Sequence, residues 1–392
     1  MSEELPDSIV YGACYRYFQK SESATQIAEW VNRELKERGI SRGKFARTSV
    51  YPILRRAAKL GFLQLIPPHR LDLAKQIANT CAIQAEDVLV LDDGNSPEFD
   101  GSSVNEVAFE TAKLCLQLSH RIAESHPLGV VNIGWGAGIT CSLIAKHLAT
   151  LLTHKSFTPS SPIKRFRMHA LVSGRIHSAK TLENELYHYP SYFFTNFFGC
   201  CGEDLPIDVI DFQIDAIVPW DNYSSLKNTI AVQDAENRAK NEIDLIVNSV
   251  ATHSQKTGLL LRVLNETQDR KTAKATTLRL KESNWVGDIG YHPFSKSGQP
   301  IEPDKNGFRA VHAFPSWHDL LRWKNNPGHY LILAAGVSHG FEKTEAIRAL
   351  MTKDDQHRIF THLVLDSKTA AGILDLENAI EGGTSVKQLK VA

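Results

Sequence analysis

After Pro68 the sequence alternates regularly between short apolar runs and amphipathic helical segments. Such runs are typical of buried strands, and the segments between them carry apolar residues at helical spacing. Repeated strand–helix alternation predicts a mainly parallel, Rossmann-like α/β sheet. The predicted strands are EDVLVLD, GVVNIGW, RMHALVSG, EIDLIVNSV, YLILAAGV and THLVLD, and the predicted helices are 104–124, 139–152, 342–351 and 367–376.

A glycine-rich turn, Gly134-Trp135-Gly136-Ala137-Gly138, separates one predicted strand from the helix that follows it. A dinucleotide-binding turn requires GxGxxG and an acidic residue about 20 positions later. This turn reads GWGAG, and residues 139–162 contain no Asp or Glu. The P-loop pattern is absent as well. The remaining possibilities are a phosphate or carboxylate held by backbone N–H groups of 136–139 at the helix N-terminus, or a tight turn with a structural role only.

The first 68 residues predict three short helices. Asp7 or Ser8 is expected to cap the first helix, and Ser23 with Gln26 forms a capping box for the second. Thr48 or Ser49 is expected to cap the third. The apolar positions expected to face inward are Ile9, Val10, Ala13, Cys14, Tyr17, Phe18, Ile27, Trp30, Val31, Leu35, Val50, Ile53, Leu54, Ala57 and Leu60. FLQLI at 62–66 reads as a short strand before Pro67-Pro68, which places a domain boundary between 1–68 and 69–392.

The N-terminal part is basic although the whole chain has no net charge. Residues 1–68 hold 11 Lys and Arg against 7 Asp and Glu, and the stretch 42–59 has six basic residues and no acidic one. Such a patch on a three-helix unit indicates a helix-turn-helix module with its third helix in the major groove of double-stranded DNA. The predicted DNA-binding residues are Arg47, Thr48, Ser49, Tyr51, Arg55, Arg56 and Lys59, with Tyr51 and Arg55 at bases and Arg47, Arg56 and Lys59 at phosphates. The alternatives are a solvated basic helix and a helical arm that docks protein.

Cysteine and histidine patterns point away from metal or cofactor binding. Adjacent Cys200 and Cys201 lack a CxxC or His-Cys context, which favours two small buried hydrophobic residues over a redox or metal pair. None of the histidines is paired at metal-ligand spacing, and His312 and His318 are expected at the surface. No apolar run reaches the length of a membrane span, and the N-terminus does not resemble a signal peptide. We therefore expect a cytoplasmic protein without a membrane partner.

Several stretches, in the same order, resemble the SorC-type (SorC/DeoR-like) bacterial transcriptional regulators. They are LRRAAKLGFLQL, HRLDLAKQIANTCAIQAEDVLVLD, VNIGWGAGIT, ALVSGR, WVGDIGYHPFSKSGQPI, AAGVSHGFEKTEAI and HLVLDSKTAAGIL. The resemblance runs from about residue 9 to the last helix. It implies a helix-turn-helix domain, with LRRAAKLGFLQL as recognition helix and wing. It also implies an effector domain related in fold to ribose-phosphate isomerase and glucosamine-phosphate deaminase.

The family resemblance further implies that a small sugar, usually phosphorylated, binds this effector domain and alters operator binding by a homodimer or homotetramer. Matched residue by residue, the effector contacts become Gly136, Ala137, Gly138, Thr140, Ser173, Gly174, Arg175, Asp288 and Lys343. Asp288 takes the role of accepting sugar hydroxyls, and no cofactor is implied. Two departures stand out. Gly138 replaces the Thr of the family's turn, with Thr140 two positions later, and Asn248-Ser249-Val250 replaces Gly-Ile-Gly at a strand end.

Two further hypotheses follow. A sugar-phosphate isomerase or deaminase with a helical N-terminal extension is the alternative function, with Asp288 or His339 as general base. For an oligomer, the aromatic segment 192–198 and the helix 103–124 are the candidate contacts between copies. The alternative for the aromatic-rich middle of the chain is that it covers the sheet.

Overall fold

The computed structural model describes residues 5–18, 20–41, 43–60, 62, 68–92, 103–154, 161–172, 189–198, 205–212, 214–215, 217–252, 260, 270–302, 308–337 and 343–381. The chain divides into two compact units, Met1–Ile66 and Pro67–Ala392, here called the smaller and the larger unit. The division falls two residues before the boundary expected from the sequence. The roles expected for the two parts stay predictions.

The smaller unit contains three helices, α1 (Asp7–Phe18), α2 (Ala24–Glu37) and α3 (Val50–Lys59). The apolar stripes of these helices meet in one core. Its buried residues are Leu5, Ile9, Val10, Ala13, Cys14, Ala24, Ile27, Ala28, Val31, Leu35, Val50, Ile53 and Ala57. Two expected core residues lie outside it, because Phe18 is 50% and Leu60 is 38% exposed. Both stand at the end of a helix, where the stripe runs past the neighbouring helices.

The helix caps agree with expectation at α2 and differ at α3. Gln26 N–H donates to Ser23 Oγ, and Ser23 N–H donates to Gln26 Oε1 at 2.9 Å, so the capping box is present. A 3₁₀ turn, Arg47–Ser49, precedes α3, and neither Thr48 nor Ser49 caps α3 through its side chain. The hydroxyl of Ser49 instead accepts from Ala46 N–H at 3.3 Å. Helical winding therefore starts one turn earlier than the polar residues indicated.

The larger unit is built on strands and helices that follow one another along the chain. The strands are β1 (Val88–Leu91), β2 (Val130–Trp135), β3 (Arg165–Ala170), β4 (Ile207–Ile210), β5 (Ile217–Pro219), β6 (Leu245–Ser249), β7 (Ala251–Thr252), β8 (Trp285–Ile289), β9 (His292–Ser295), β10 (Phe308–Ala310), β11 (Tyr330–Ala335) and β12 (His362–Asp366). The helices are α4 (Leu71–Cys81), α5 (Val104–Ser125), α6 (Ile139–His154), α7 (Pro190–Phe193), α8 (Thr195–Phe198), α9 (Trp220–Leu226), α10 (Ile230–Asn241), α11 (Arg270–Glu282), α12 (Trp317–Lys324), α13 (Thr344–Leu350) and α14 (Ser367–Glu381).

Seven strands form one parallel sheet in the order β1-β12-β11-β6-β2-β3-β4. Every residue of β6 and β12 is buried, which explains why these strands read as continuous apolar runs instead of alternating ones. The predicted mainly parallel α/β sheet is confirmed. The expected strand 62–66 lies outside the described residues apart from Phe62.

The strand order reverses in the middle of the sheet. From β2 the chain proceeds outward to β3 and β4, and from β6 it proceeds outward on the other side to β11 and β12. The adjacent strands β2 and β6 therefore form the switch point, where loops leave in opposite directions and open a crevice at the carboxyl ends. A small antiparallel sheet, β7-β8-β9, follows β6 directly and pairs Ala251 with Asp288.

Burial bears on three segments singled out in the sequence, and one expectation, a surface position for His312, is wrong. Phe193, Phe194 and Phe197 are almost fully buried, and Phe193 and Phe197 pack against Trp135. The aromatic segment thus covers the sheet, with Tyr192 and Phe198 as its exposed rings. Helix α5 is buried along most of its length, because α6 and the central strands pack on it. His312 is 2% exposed, since an isolated bridge to Val172 draws its segment into the fold.

Candidate functional sites

The turn after β2 lies at the switch point, and its two outer glycines have different roles. The N–H group of Gly136 donates to Val247 O at 3.0 Å. A side chain at 136 would begin 2.2 Å from Asn248 Oδ1. Glycine at 136 therefore makes room for Asn248, and its amide is already bonded within the fold. This corrects the expectation that the Gly136 amide faces a ligand.

Gly138 ends the turn with φ +110°, a backbone conformation that side chains rarely adopt. Helix α6 begins at the next residue, and its first backbone bond runs from Ser142 N–H to Gly138 O. The amides of Ile139, Thr140 and Cys141 precede that bond and have no acceptor within the helix. An anion at this point would meet three N–H groups and the positive end of the helix dipole.

Lys343 brings a cation to the same helix N-terminus. It stands immediately before α13, is 2% exposed, and its Nζ donates to Thr140 Oγ1 at 3.3 Å. Burial lowers the pKa of its ammonium to about 8, against the opposing effect of Cys141 and Asp366. A buried ammonium beside helix amides is a combination that attracts phosphate or carboxylate.

Asp366, which the sequence reasoning missed, holds the neighbouring strand ends together. Its Oδ2 accepts from Ser103 Oγ at 2.6 Å and from Val337 N–H at 2.7 Å, and its Oδ1 accepts from Thr369 N–H at 2.6 Å. The residue is fully buried. These bonds join the carboxyl ends of β11 and β12 to the start of α5, so the wall of the crevice next to Lys343 is fixed.

Asp288 lies on β8, near the turn into β9. It is 4% exposed, and burial raises the pKa of its carboxyl to about 7, an effect partly offset by the N–H of Tyr291. The rings of Tyr291 and Tyr189 belong to a small apolar cluster that Ala137 also joins. The β8–β9 turn thus lies beside the glycine turn after β2, and its carboxyl is suited to accept from a ligand hydroxyl.

Asn248 and His312 are polar side chains next to this turn that the sequence did not single out as ligands. A side chain at Gly290, which has φ +53°, would begin 2.9 Å from His312 Nε2 and 3.6 Å from Asn248 Nδ2. His312 Nδ1 accepts from Phe314 N–H at 2.8 Å. Asn248 Oδ1 accepts from Ser249 N–H at 2.9 Å. The departure of 248–250 from the family pattern was the signal for Asn248.

The remaining expected effector contacts, Ser173, Gly174 and Arg175, lie outside the described residues, as do His339, Cys200 and Cys201. Within the described ranges, no group of three or more His, Cys, Asp or Glu side chains is placed to hold a metal ion. Cys14, Cys81, Cys115 and Cys141 are buried free thiols. Across the same ranges, no helix is long and apolar enough to span a membrane.

The basic residues of the smaller unit differ in their freedom to meet a ligand. Arg47, Thr48, Tyr51 and Arg55 are exposed, with Tyr51 at 44%. The guanidinium of Arg56 lies 2.7 Å from a carboxylate oxygen of Asp7 on α1, so it is already engaged within the unit. Lys59 is the last residue of α3. The exposed set lies on the N-terminal turns that were expected to approach DNA.

Comparison with known proteins identifies the fold. No protein-family model and no curated protein matches the sequence. The full-length sorbitol operon regulator SorC from Klebsiella pneumoniae is 13% identical, with a TM-score of 0.55 over 95% of this chain and 100% of its own. A DeoR family transcriptional regulator from Listeria monocytogenes is 15% identical, with a TM-score of 0.53 over 77% of this chain and 98% of its own.

A domain of a possible sugar-binding transcriptional regulator from Arthrobacter aurescens TC1 is 17% identical, with a TM-score of 0.53 over 78% of this chain and 97% of its own. At these identities the likeness concerns the arrangement of the backbone. The fold expected from the resemblance to SorC-type regulators is therefore confirmed.

Proposed function

We propose that this chain is a DNA-binding transcriptional regulator of the SorC type, acting in the cytoplasm on genes of carbohydrate metabolism. A small sugar or phosphorylated sugar bound to the larger unit would change its affinity for operator DNA. The observation that carries the proposal is the buried ammonium of Lys343 on Thr140 at the N-terminus of α6. It lies next to the switch point of a fold shared with solved regulators.

The anion end of the effector would lie between Lys343, Thr140 and the amides of 139–141. Uncompensated burial of a charged group is costly, and a phosphate would supply the opposite charge. Asp288 would accept from a sugar hydroxyl at the other end. Ser173, Gly174 and Arg175 would come from the loop after β3, and Ala137 and Gly138 would shape the turn.

DNA would bind the smaller unit through Arg47, Thr48, Ser49, Tyr51, Arg55, Arg56 and Lys59. The exposed position of Tyr51 and Arg55 on α3 supports their role at bases. Because one small three-helix unit offers little surface for specific binding, two or four copies would act together. A homodimer or homotetramer would place two recognition helices on paired half-sites. Light scattering of the operator-bound form measures this, and a single bound copy would contradict it.

The function is tested by calorimetry against ribose 5-phosphate, fructose 6-phosphate and glucosamine 6-phosphate, with the corresponding free sugars. We expect one phosphorylated sugar to bind and to change the affinity for DNA fragments selected by the protein. Lys343→Met should remove sugar-phosphate binding but leave DNA binding intact. Sugar-phosphate binding that survives Lys343→Met unchanged would contradict the proposed anion site.

The alternative function, a sugar-phosphate isomerase or deaminase, would use Asp288 or His339 as general base. The basic three-helix unit has no role in that chemistry, and the solved structures that share the fold include transcriptional regulators. Turnover of any of the three sugar phosphates, lost in Asp288→Asn, would favour the enzyme. We expect none.

A further inference from the structure

His312 presents an N–H group that no described residue satisfies. Its Nδ1 accepts from Phe314 N–H at 2.8 Å, so in the neutral ring the proton lies on Nε2. The Nε2 atom is buried and has no hydrogen-bond partner among the described residues. The ring is fixed further by His292, whose centroid is 4.8 Å away. Buried donors without a partner are rare in native folds and call for an explanation.

Asn248 points its amide toward the same place. Its Oδ1 is engaged by Ser249 N–H, which directs the Nδ2 donors away from that bond. Both Asn248 Nδ2 and His312 Nε2 lie within 3.6 Å of the point where a side chain at Gly290 would begin. The bare Cα of Gly290 thus allows two donors to approach the same point of the β8–β9 turn. Asp288 stands two residues earlier on the same hairpin.

We propose that Asn248 and His312 form a donor pair that reads an oxygen of the effector at the end away from its phosphate. The inference rests on the proposed function, since it concerns the same ligand. The pair offers only neutral donors, whereas Lys343 offers a positive charge at the anion end. The pair therefore selects a carbonyl or hydroxyl oxygen, and Asp288 accepts from a neighbouring hydroxyl.

Burial also keeps the imidazole of His312 neutral, and the amide of Asn248 carries no charge. Desolvation holds the pKa of His312 well below its usual value, and the nearby His292 acts in the same direction. The ligand class that fits is a sugar phosphate with a hydroxyl next to a carbonyl or second hydroxyl. Under the proposal, this oxygen lies farther from the phosphate than a three-carbon phosphate extends. The side chain of Asn248 fills the space beside Gly136. It therefore leaves less room for a ligand than the glycine that the family pattern has at this strand end.

The test compares one long and one short probe by calorimetry. The long probe is the tightest binder among ribose 5-phosphate, fructose 6-phosphate and glucosamine 6-phosphate, and the short probe is glycerol 3-phosphate. His312→Asn keeps an acceptor for Phe314 N–H and deletes the Nε2 donor. We expect this variant to bind the long probe about tenfold more weakly than the parent and to bind the short probe with unchanged affinity. Asn248→Ala should act in the same way.

The matched control is His169→Asn on β3. His169 is as buried as His312 and also has a ring nitrogen without a partner among the described residues, but its Nε2 bonds Asn132, away from the β8–β9 turn. The control should bind both probes as the parent does. If His312→Asn and Asn248→Ala bind the long probe like the parent, or lose both probes equally, the donor pair is refuted while the proposed function stands. If the parent binds none of the sugar phosphates, the proposed function fails first.

Discussion

Asn32 of α2 forms two hydrogen bonds with the backbone of Phe45, the residue two positions before the 3₁₀ turn that leads into α3. Its Nδ2 donates to Phe45 O at 2.9 Å, and its Oδ1 accepts from Phe45 N–H at 2.8 Å. The connection between α2 and α3 is longer than a tight helix-turn-helix turn. This one side chain fixes its end, and with it the start of α3.

Asn32→Ala should therefore loosen the entry to α3. Loss of two partly buried bonds should lower the free energy of unfolding of the smaller unit by about 1–3 kcal/mol. Hydrogen exchange of the α3 amides should quicken, and DNA affinity should fall. Asn241→Ala is the control, because among the described residues that side chain bonds within its own helix, at Asn237 O. Unchanged exchange in α3 would show that the core alone fixes the helix.

Arg55 and Lys59 should differ in their effect on DNA recognition. Arg55→Ala should cost about 1–3 kcal/mol and relax sequence preference, whereas Lys59→Ala should weaken all sequences alike and reduce the salt dependence of binding. Binding to fragments selected by the parent, measured at several salt concentrations, separates the two. Arg38→Ala is the control, since Arg38 pairs with Glu34 on α2. If Arg55→Ala keeps the parent's DNA sequence preference, the bases are contacted from another face of the smaller unit.

Lys343→Met should raise the stability of the larger unit without ligand. Burial lowers the pKa of this ammonium from 10.5 to about 8, so at pH 7 the folded state carries the full cost of a buried charge. Replacing it should raise the free energy of unfolding by about 1–3 kcal/mol. The parent should regain this difference between pH 8 and 10.5, where the unfolded state binds more protons. Urea unfolding at pH 7 and 10 measures the effect, and a less stable variant at pH 7 would contradict it.

Asp288 should make stability fall as the pH rises. Its pKa is raised from 3.8 to about 7, so between these values the folded state binds more protons than the unfolded state, and stability decreases with pH. Asp288→Asn keeps an oxygen for Tyr291 N–H and removes the titration. The melting temperature of the variant should change less between pH 4 and 7 than that of the parent. At pH 8 its free energy of unfolding should exceed the parent's by about 2–4 kcal/mol. Parallel pH profiles for parent and variant would refute a raised pKa.

The sheet was predictable from sequence because its strands are buried on both faces and its helices carry apolar stripes. The α2 cap was predictable for a local reason, since Ser23 and Gln26 lie one turn apart. The start of α3 was not predictable in this way, because Thr48 and Ser49 are both residue types that commonly cap helices. Where the helical winding begins depends on Asn32, thirteen residues before the Phe45 backbone that it bonds.

The site was predictable in part. Lys343 and Thr140 were found through the family resemblance, and the structure brings them together from more than two hundred residues apart. The role of Gly136 was misread, because a glycine that admits a neighbouring side chain looks the same in sequence as one that admits a ligand. His312 was placed at the surface, since its burial depends on a bridge to Val172 that no local pattern encodes.

The reversal of strand order at β2 and β6 also determines when sensing becomes possible during synthesis. The edge of β2 that pairs with β6 stays open until Leu245–Ser249 have left the ribosome, and Lys343 emerges later still. The helices of the smaller unit, contiguous near the N-terminus, are complete long before. Under the proposed function, a product terminated between these points would retain the DNA-binding helix and lack the anion site. Premature termination would thus yield an operator binder whose affinity for DNA no sugar can change.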